Sequence, residues 1–138
     1  MRLLLDTHAL IWWWTDSRKL SASARRIVAD ERNEILVSAA SAWEIATKQR
    51  LGKLGLPALT MRRYEVLLAA DGFVSLPIVT AHALVAGNYP QPHRDPFDRI
   101  LAAQAEIEAL PLVSRDRVLW QFGSNCCGEN RLLDAAVR

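Results

Sequence analysis

Five acidic residues stand where the chain is expected to pass from a strand or loop into a helix: Asp6, Glu44, Asp95, Asp98 and Asp116. Asp6 ends the apolar run Leu3-Leu4-Leu5, and Glu44 opens the helix after Ile35-Leu36-Val37. Asp95 and Asp98 frame a helix that starts with Pro96, and Asp116 follows Leu110-Pro111-Leu112-Val113. In an open α/β sheet such junctions share the carboxyl edge of the strands, where ligands bind. Carboxylates gathered there repel one another unless a hard cation neutralises them. The donors would all be oxygens, and no His or Cys cluster competes, which points to Mg²⁺ or Mn²⁺ rather than zinc. Such an ion lowers the pKa of a bound water and stabilises charge on a phosphate under attack, the chemistry of phosphodiester hydrolysis. The chain offers no Ser/His/Asp pattern at suggestive spacing, no Gly-rich phosphate loop and no G-x-S-x-G, so water is the expected nucleophile.

Each acid also has a simpler explanation. Ser41-Ala42-Trp43-Glu44 fits the capping box S-x-x-E, in which Glu44 would satisfy the Ser41 backbone amide. Asp95 reads as a helix cap, with Asp98 in the first turn where negative charge complements the dipole. Asp6 and Asp116 read as N-caps too. Capping accounts for each one singly. It does not require four or more caps at one sheet edge, nor acids directly after two buried strands, where ionised groups are costly. A divalent ion removes that cost. Thr7 and Ser114 carry hydroxyls beside the expected site that could orient ligands or waters, or serve turn and cap hydrogen bonds instead. Arg99 adjoins Asp98 and is expected to pair with an acid or a phosphate, or to form a surface salt bridge. His8, His82 and His93 are scattered singly and read as structural or solvated, with His93 the one that could touch substrate.

Positioning these residues requires alternating strands and helices. Residues 2–5 read as a buried strand, 7–14 as a helix capped by Asp6 or Thr7, and 21–32 as an amphipathic helix. Residues 34–39 form a second strand, and 41–51 a helix closed by Gly52. After a loop at 52–58, residues 60–70 read as an amphipathic helix ended by Gly72, 73–76 as a third strand and 79–87 as a short helix. A Pro-rich loop at 88–95 leads to a helix at 96–109 with Pro in its first turn, then a fourth strand at 112–114. This alternation argues for a parallel sheet covered on both faces. Trp12, Trp13, Trp14 and Trp43 are conspicuous: three successive tryptophans point in three directions on a helix, so they are not expected all to face one core, and at least one is expected at an interface or groove. The tail 123–138 is left unassigned.

The 138 residues fit one domain, 51% hydrophobic and able to build a core. Its two cysteines, Cys126 and Cys127, are adjacent, so they neither staple distant segments nor complete a zinc site, and a reducing cytosol is expected. Asp6 interrupts the N-terminal apolar stretch too early for a signal peptide. The longest apolar run, Ala9 to Trp14, is far short of the roughly 20 residues that span a bilayer. The net charge is +2, but setting aside the five candidate acids leaves ten against 17 Lys and Arg. A basic body around an acidic centre suits a polyanionic substrate, although charge alone reads better as a solvated surface and supports nucleic acid only together with the site.

The segments LLLDTHALIWW, VSAASAWEIATKQRLGKL, LPIVTAHAL, HRDPFDRILAAQA and LPLVSRD, in this order, resemble a PIN-domain ribonuclease, specifically the VapC toxin of type II toxin–antitoxin systems. The resemblance covers residues 1 to about 122. It implies a three-layer α/β/α domain around a central, mostly parallel sheet of four or five short strands. It also implies Mg²⁺- or Mn²⁺-dependent endonuclease cleavage of RNA, of the tRNA or ribosomal class. Carried over residue by residue, the metal-binding catalytic acids fall on Asp6, Glu44, Asp98 and Asp116, with Ser114 as hydroxyl companion and Asp95 as accessory. Such toxins form homodimers and are silenced by a VapB-like antitoxin that blocks the acidic pocket. Where the family usually ends in an apolar edge strand, this chain has the polar GSNCCGENRLLDAAVR. Two other functions compete. One is a phosphatase of the haloacid dehalogenase type with Asp6 as nucleophile, which wants an acid at position 8, where His8 stands. The other is a non-catalytic PIN-like module that binds RNA or protein, against which the complete acid set argues.

Overall fold

The computed structural model describes residues 1–92 and 95–115. Among them the chain runs β1 (Arg2–Leu5), α1 (Thr7–Trp14), α2 (Ala22–Ala29), β2 (Glu34–Ser38), α3 (Ala39–Arg50), α4 (Leu59–Arg62), α5 (Tyr64–Ala70), β3 (Val74–Leu76), α6 (Thr80–Asn88), α7 (Pro96–Ile107) and β4 (Leu112–Val113). The four strands are all parallel, in the order β3-β2-β1-β4. Every connection carries at least one helix, as parallel pairing demands.

Alternation along the strands divides the core into two. Leu3, Leu5, Ile35, Val37 and Val113 face one side, where Leu10 and Ile11 of α1, Val28 of α2 and Leu68 of α5 complete a cluster. Leu4, Leu36 and Leu112 face the other side and meet Leu101 and Ala105 of α7. The sheet is thus the middle layer of three, and the expected α/β/α arrangement holds. Buried on both faces, β1, β2 and β4 read as continuous apolar runs rather than as alternating ones, while the edge strand β3 is largely exposed.

The chain builds β1, β2 and β3 outward in one direction, then returns to place β4 on the other flank of β1. Strand order therefore reverses between β1 and β4. The crevice at the carboxyl ends of that pair is the topological switch point, where open α/β sheets bind ligands. Leu5 is in register with Val37 on one side and Val113 on the other. One residue further on at this edge stand Asp6, just past β1, Ser38, the last residue of β2, and Ser114, just past β4.

Several elements differ from the sequence expectation. Helix α3 starts at Ala39, capped by the Ser38 hydroxyl on the Ala40 N–H at 3.0 Å. Ser41 therefore lies inside the helix, and the Ser41–Glu44 capping box does not form. The helix expected at 60–70 breaks at Arg63 into α4 and α5. Helix α2 stops at Asp30, whose backbone turns extended. Gly52 and Gly72 do end α3 and α5 as expected, both left-handed and both followed by the paired backbone bonds of a Schellman stop. Helix α7 ends the same way on Ala109, at φ 52°, with Leu110 N–H returning to the Ala105 carbonyl at 2.9 Å. An alanine there strains Cβ against the neighbouring carbonyl. Ala109→Gly is expected to stabilise the protein by about 1 kcal/mol in denaturant unfolding; no gain would show that the turn is not held left-handed.

His82 is a core histidine, 1% exposed. Its Nδ1 accepts from the Val79 N–H at 3.1 Å, so Nε2 is the nitrogen left to donate, to Glu108 at 2.9 Å. Trp12, Trp13 and Trp14 all pack against the first core cluster, and the indole N–H groups of Trp13 and Trp14 share one oxygen of Asp71. Among the described residues, no helix is long and apolar enough to cross a membrane.

Candidate active site at the sheet edge

Asp6 leaves β1 in extended conformation and caps α1, accepting the Ala9 N–H on Oδ1 at 2.7 Å. Its other oxygen, Oδ2, accepts a hydrogen bond from the Ser114 hydroxyl across the switch point. The capping reading of Asp6 is therefore correct, and yet incomplete. A cap on a helix end is usually wet, whereas Asp6 is 4% exposed. Burial pushes its carboxyl above the ordinary value of 3.8. The bonds from Ser114 and Ala9 and the nearby His8 oppose that shift, and the charge of Glu44 adds to it. The charge of Glu44, 38 positions away in sequence, thus reaches Asp6.

Glu44 arrives from the second turn of α3, which runs on directly from β2. It is 1% exposed. Its helix is fixed to α1 by a hydrogen bond between Ser41 Oγ and Thr7 Oγ1 at 2.9 Å, both side chains buried. Thr7 consequently locks α1 and α3 together one residue from Asp6. Glu44 Oε2 accepts from Lys48 Nζ at 2.5 Å, an (i, i+4) pair within α3.

On its other flank α3 meets α7, where Trp43 and Phe97 pack edge to face at 4.7 Å between centroids. These aromatics immediately precede Glu44 and Asp98. Among the described residues Trp43, 58% exposed, is the most open tryptophan, while the triplet in α1 is half-buried and, against expectation, packs on a single core cluster. Asp95 caps α7, accepting from the Phe97 and Asp98 N–H groups at 2.9 and 3.4 Å. Asp98 is half-buried in the first turn.

Arg99 bonds to backbone carbonyls: Nε to Ala86 at 2.8 Å, Nη1 to Gln91 at 2.9 Å and Nη2 to Tyr89 at 2.7 Å, with Gly87 at 3.5 Å. It ties the end of α6 and the following loop to the first turn of α7.

The structure therefore brings Asp6, Glu44, Thr7 and Ser114 together and sets Asp98 on the helix beside them. Among the described residues, no group of three or more His, Cys, Asp and Glu side chains is arranged to hold a metal ion. Asp116 and His93 lie outside the described residues. Lys48 is the participant that sequence reasoning passed over; its place four residues after Glu44, on the same helix face, was the available signal.

Comparison with known proteins identifies the family. The PIN domain family matches residues 3–123. The chain is 30% identical over 120 residues to Ribonuclease VapC22 of Mycobacterium tuberculosis (strain ATCC 25618 / H37Rv), covering 85% of this chain and 88% of that protein. Over 33 residues it is 70% identical to Ribonuclease VapC16 of the same organism, 24% of this chain and 23% of the relative. A parallel sheet with buried acids at its switch point and a match along almost its whole length place this chain in the PIN-domain family, among the VapC-type toxin ribonucleases.

Proposed function

We propose that this toxin ribonuclease is a metal-dependent endonuclease that hydrolyses cellular RNA of the tRNA or ribosomal class, with Asp6, Glu44, Asp98 and Asp116 as ligands of Mg²⁺ or Mn²⁺. The observation that carries the reading is the pairing of Asp6 with Glu44. Both carboxylates are nearly inaccessible, burial and then the charge of Glu44 raise the cost of ionising Asp6, and both side chains offer only oxygen. That donor chemistry fits a hard divalent ion and not zinc. When bound, the ion would supply an activated water and charge stabilisation at the phosphate.

The chain's own residues supply the rest. Ser114 and the Ala9 N–H hold the two oxygens of Asp6 in one orientation, and the Thr7–Ser41 bond sets the spacing of α1 and α3. Asp95 and Arg99 are accessory: they fix the first turn of α7 and hence Asp98. The basic remainder of the chain favours a polyanion at this edge. A cognate VapB-like antitoxin covering the acidic pocket, a homodimeric toxin that becomes heteromeric with it, and action in the cytoplasm complete the proposal.

The test is cleavage of purified tRNA and ribosomal RNA with Mn²⁺ and with a chelator. Defined fragments are expected with the ion and none without it. Fragmentation that survives chelation would remove the metal from the mechanism, and intact RNA under all conditions would favour a module that binds without cutting.

A further inference from the structure

An ionised carboxylate as inaccessible as Glu44, with a second buried acid nearby, needs a counter-charge whether or not a metal ion is present. In this structure that charge comes from Lys48. Its Nζ stands 2.5 Å from Glu44 Oε2, with side-chain exposures of 27% for the lysine and 2% for the glutamate. Glutamate lies N-terminal to lysine at (i, i+4), the favourable order on a helix. The aliphatic stem covers the acid while the head keeps a path to solvent. The ammonium is thus a monovalent cation tethered at a carboxylate oxygen and able to leave it.

We propose that Lys48 is a built-in counter-cation that occupies Glu44 in the metal-free protein and sets the affinity for the divalent ion by competing for the same oxygen. The inference rests on the reading of Glu44 as a metal ligand. It explains how two neighbouring buried acids fold together before an ion arrives: one of the two negative charges is already answered within α3. Entry of an ion at Glu44 then requires the ammonium to release Oε2. By linkage, whatever Lys48 contributes to the metal-free fold is subtracted from the metal's binding.

The experiment measures Mn²⁺ affinity by calorimetry and by the electron paramagnetic resonance signal of free Mn²⁺, together with thermal unfolding with and without Mn²⁺. The proteins are wild type, Lys48→Met, Lys48→Arg and Glu44→Gln. Methionine keeps the length and removes the charge. It should lower the metal-free melting temperature and tighten Mn²⁺ binding roughly tenfold, so that the loaded variant melts close to loaded wild type. Arginine keeps the charge and can grip the carboxylate with two N–H groups, so it should weaken Mn²⁺ binding several-fold. The order of affinity is then Met above Lys above Arg, which a merely structural lysine would not produce. Equal Mn²⁺ affinity in all three, with Glu44→Gln weakened, would overturn the role of Lys48 and leave the metal site standing. Equal affinity in wild type and Glu44→Gln would overturn both. If Lys48→Met does not fold, the arginine variant decides alone: affinity equal to or tighter than wild type rejects the competition.

Discussion

Replacing Asp6 with asparagine is expected to abolish RNA cleavage and at the same time to make the metal-free protein more stable. Loss of activity follows from the position. Asp6 sits where strand order reverses, its two oxygens already aimed by Ser114 and the Ala9 N–H. Loss of an outer partner of a metal ligand costs about 10–100-fold, and loss of a ligand itself should exceed the upper end of that range. The gain in stability follows from the same burial. A carboxyl whose pKa is raised on folding binds its proton more tightly in the folded chain than in the unfolded one. Ionised Asp6 therefore opposes folding, and the penalty grows as pH rises from the ordinary 3.8 through the raised folded value. Asparagine is neutral throughout. Its amide oxygen can still accept from Ala9, and its NH₂ can donate to the Ser114 oxygen, so the cap survives. The expected gain at neutral pH is on the order of 1 kcal/mol, about 3–5 °C in melting temperature. It should vanish below the unfolded pKa, where both proteins carry a neutral side chain. A variant that is inactive and less stable than wild type at pH 7 would mean that Asp6 holds the fold together rather than storing charge for an ion. Added Mn²⁺ should stabilise wild type and leave Asp6→Asn much less affected.

The contrast between legible and illegible residues has a physical basis. Leu3-Leu4-Leu5 followed by Asp6 was readable because a strand buried on both faces is a run of apolar residues, and an acid at its end has few reasons to be there. The glycine stops at Gly52 and Gly72 were readable because glycine takes a left-handed backbone at no steric cost. Ala109 takes the same conformation with no sequence signal, so the expected helix overran its true end at Ile107. The start of α3 was misplaced because Ser38 and Ser41 are equivalent as caps in sequence. Only the tertiary structure, which gives Ser41 to Thr7, tells them apart. The break at Arg63 has no proline or glycine to announce it. For the site, the residue types and junctions pointed to one sheet edge, and Asp6 and Glu44 are both buried, one just after β1 and the other in the helix that follows β2. The function of Arg99 depends on which groups the fold presents to a long flexible side chain, and that is not written in local spacing; Lys48, four residues after Glu44, was within reach of spacing alone.

Arg99 supports the largest expected effect on stability. Its guanidinium holds carbonyls from Ala86 to Gln91, a stretch that leaves α6 and turns toward the cap of α7. The same group lies over the ring of Tyr89 at 6.0 Å. A planar fork with five donors can satisfy several divergent acceptors at once; a lysine ammonium at the same depth cannot. Charge-assisted bonds contribute about 1.5–3 kcal/mol each, and a buried acceptor left unpaired costs about 1–3 kcal/mol. Water will recover part of this at the exposed end of the loop. Arg99→Leu is therefore expected to lose about 3–4 kcal/mol, and Arg99→Lys about 2 kcal/mol, both measurable by denaturant unfolding. Because Asp98 is the preceding residue and Asp95 caps the same turn, loosening this clamp should also move Asp98, a proposed metal ligand. Mn²⁺ affinity and cleavage should then fall in Arg99→Lys even under conditions where that variant is fully folded. If instead Arg99→Lys keeps wild-type stability but cuts RNA poorly, the guanidinium acts on substrate phosphate rather than on the loop, and the carbonyl contacts are only its resting place.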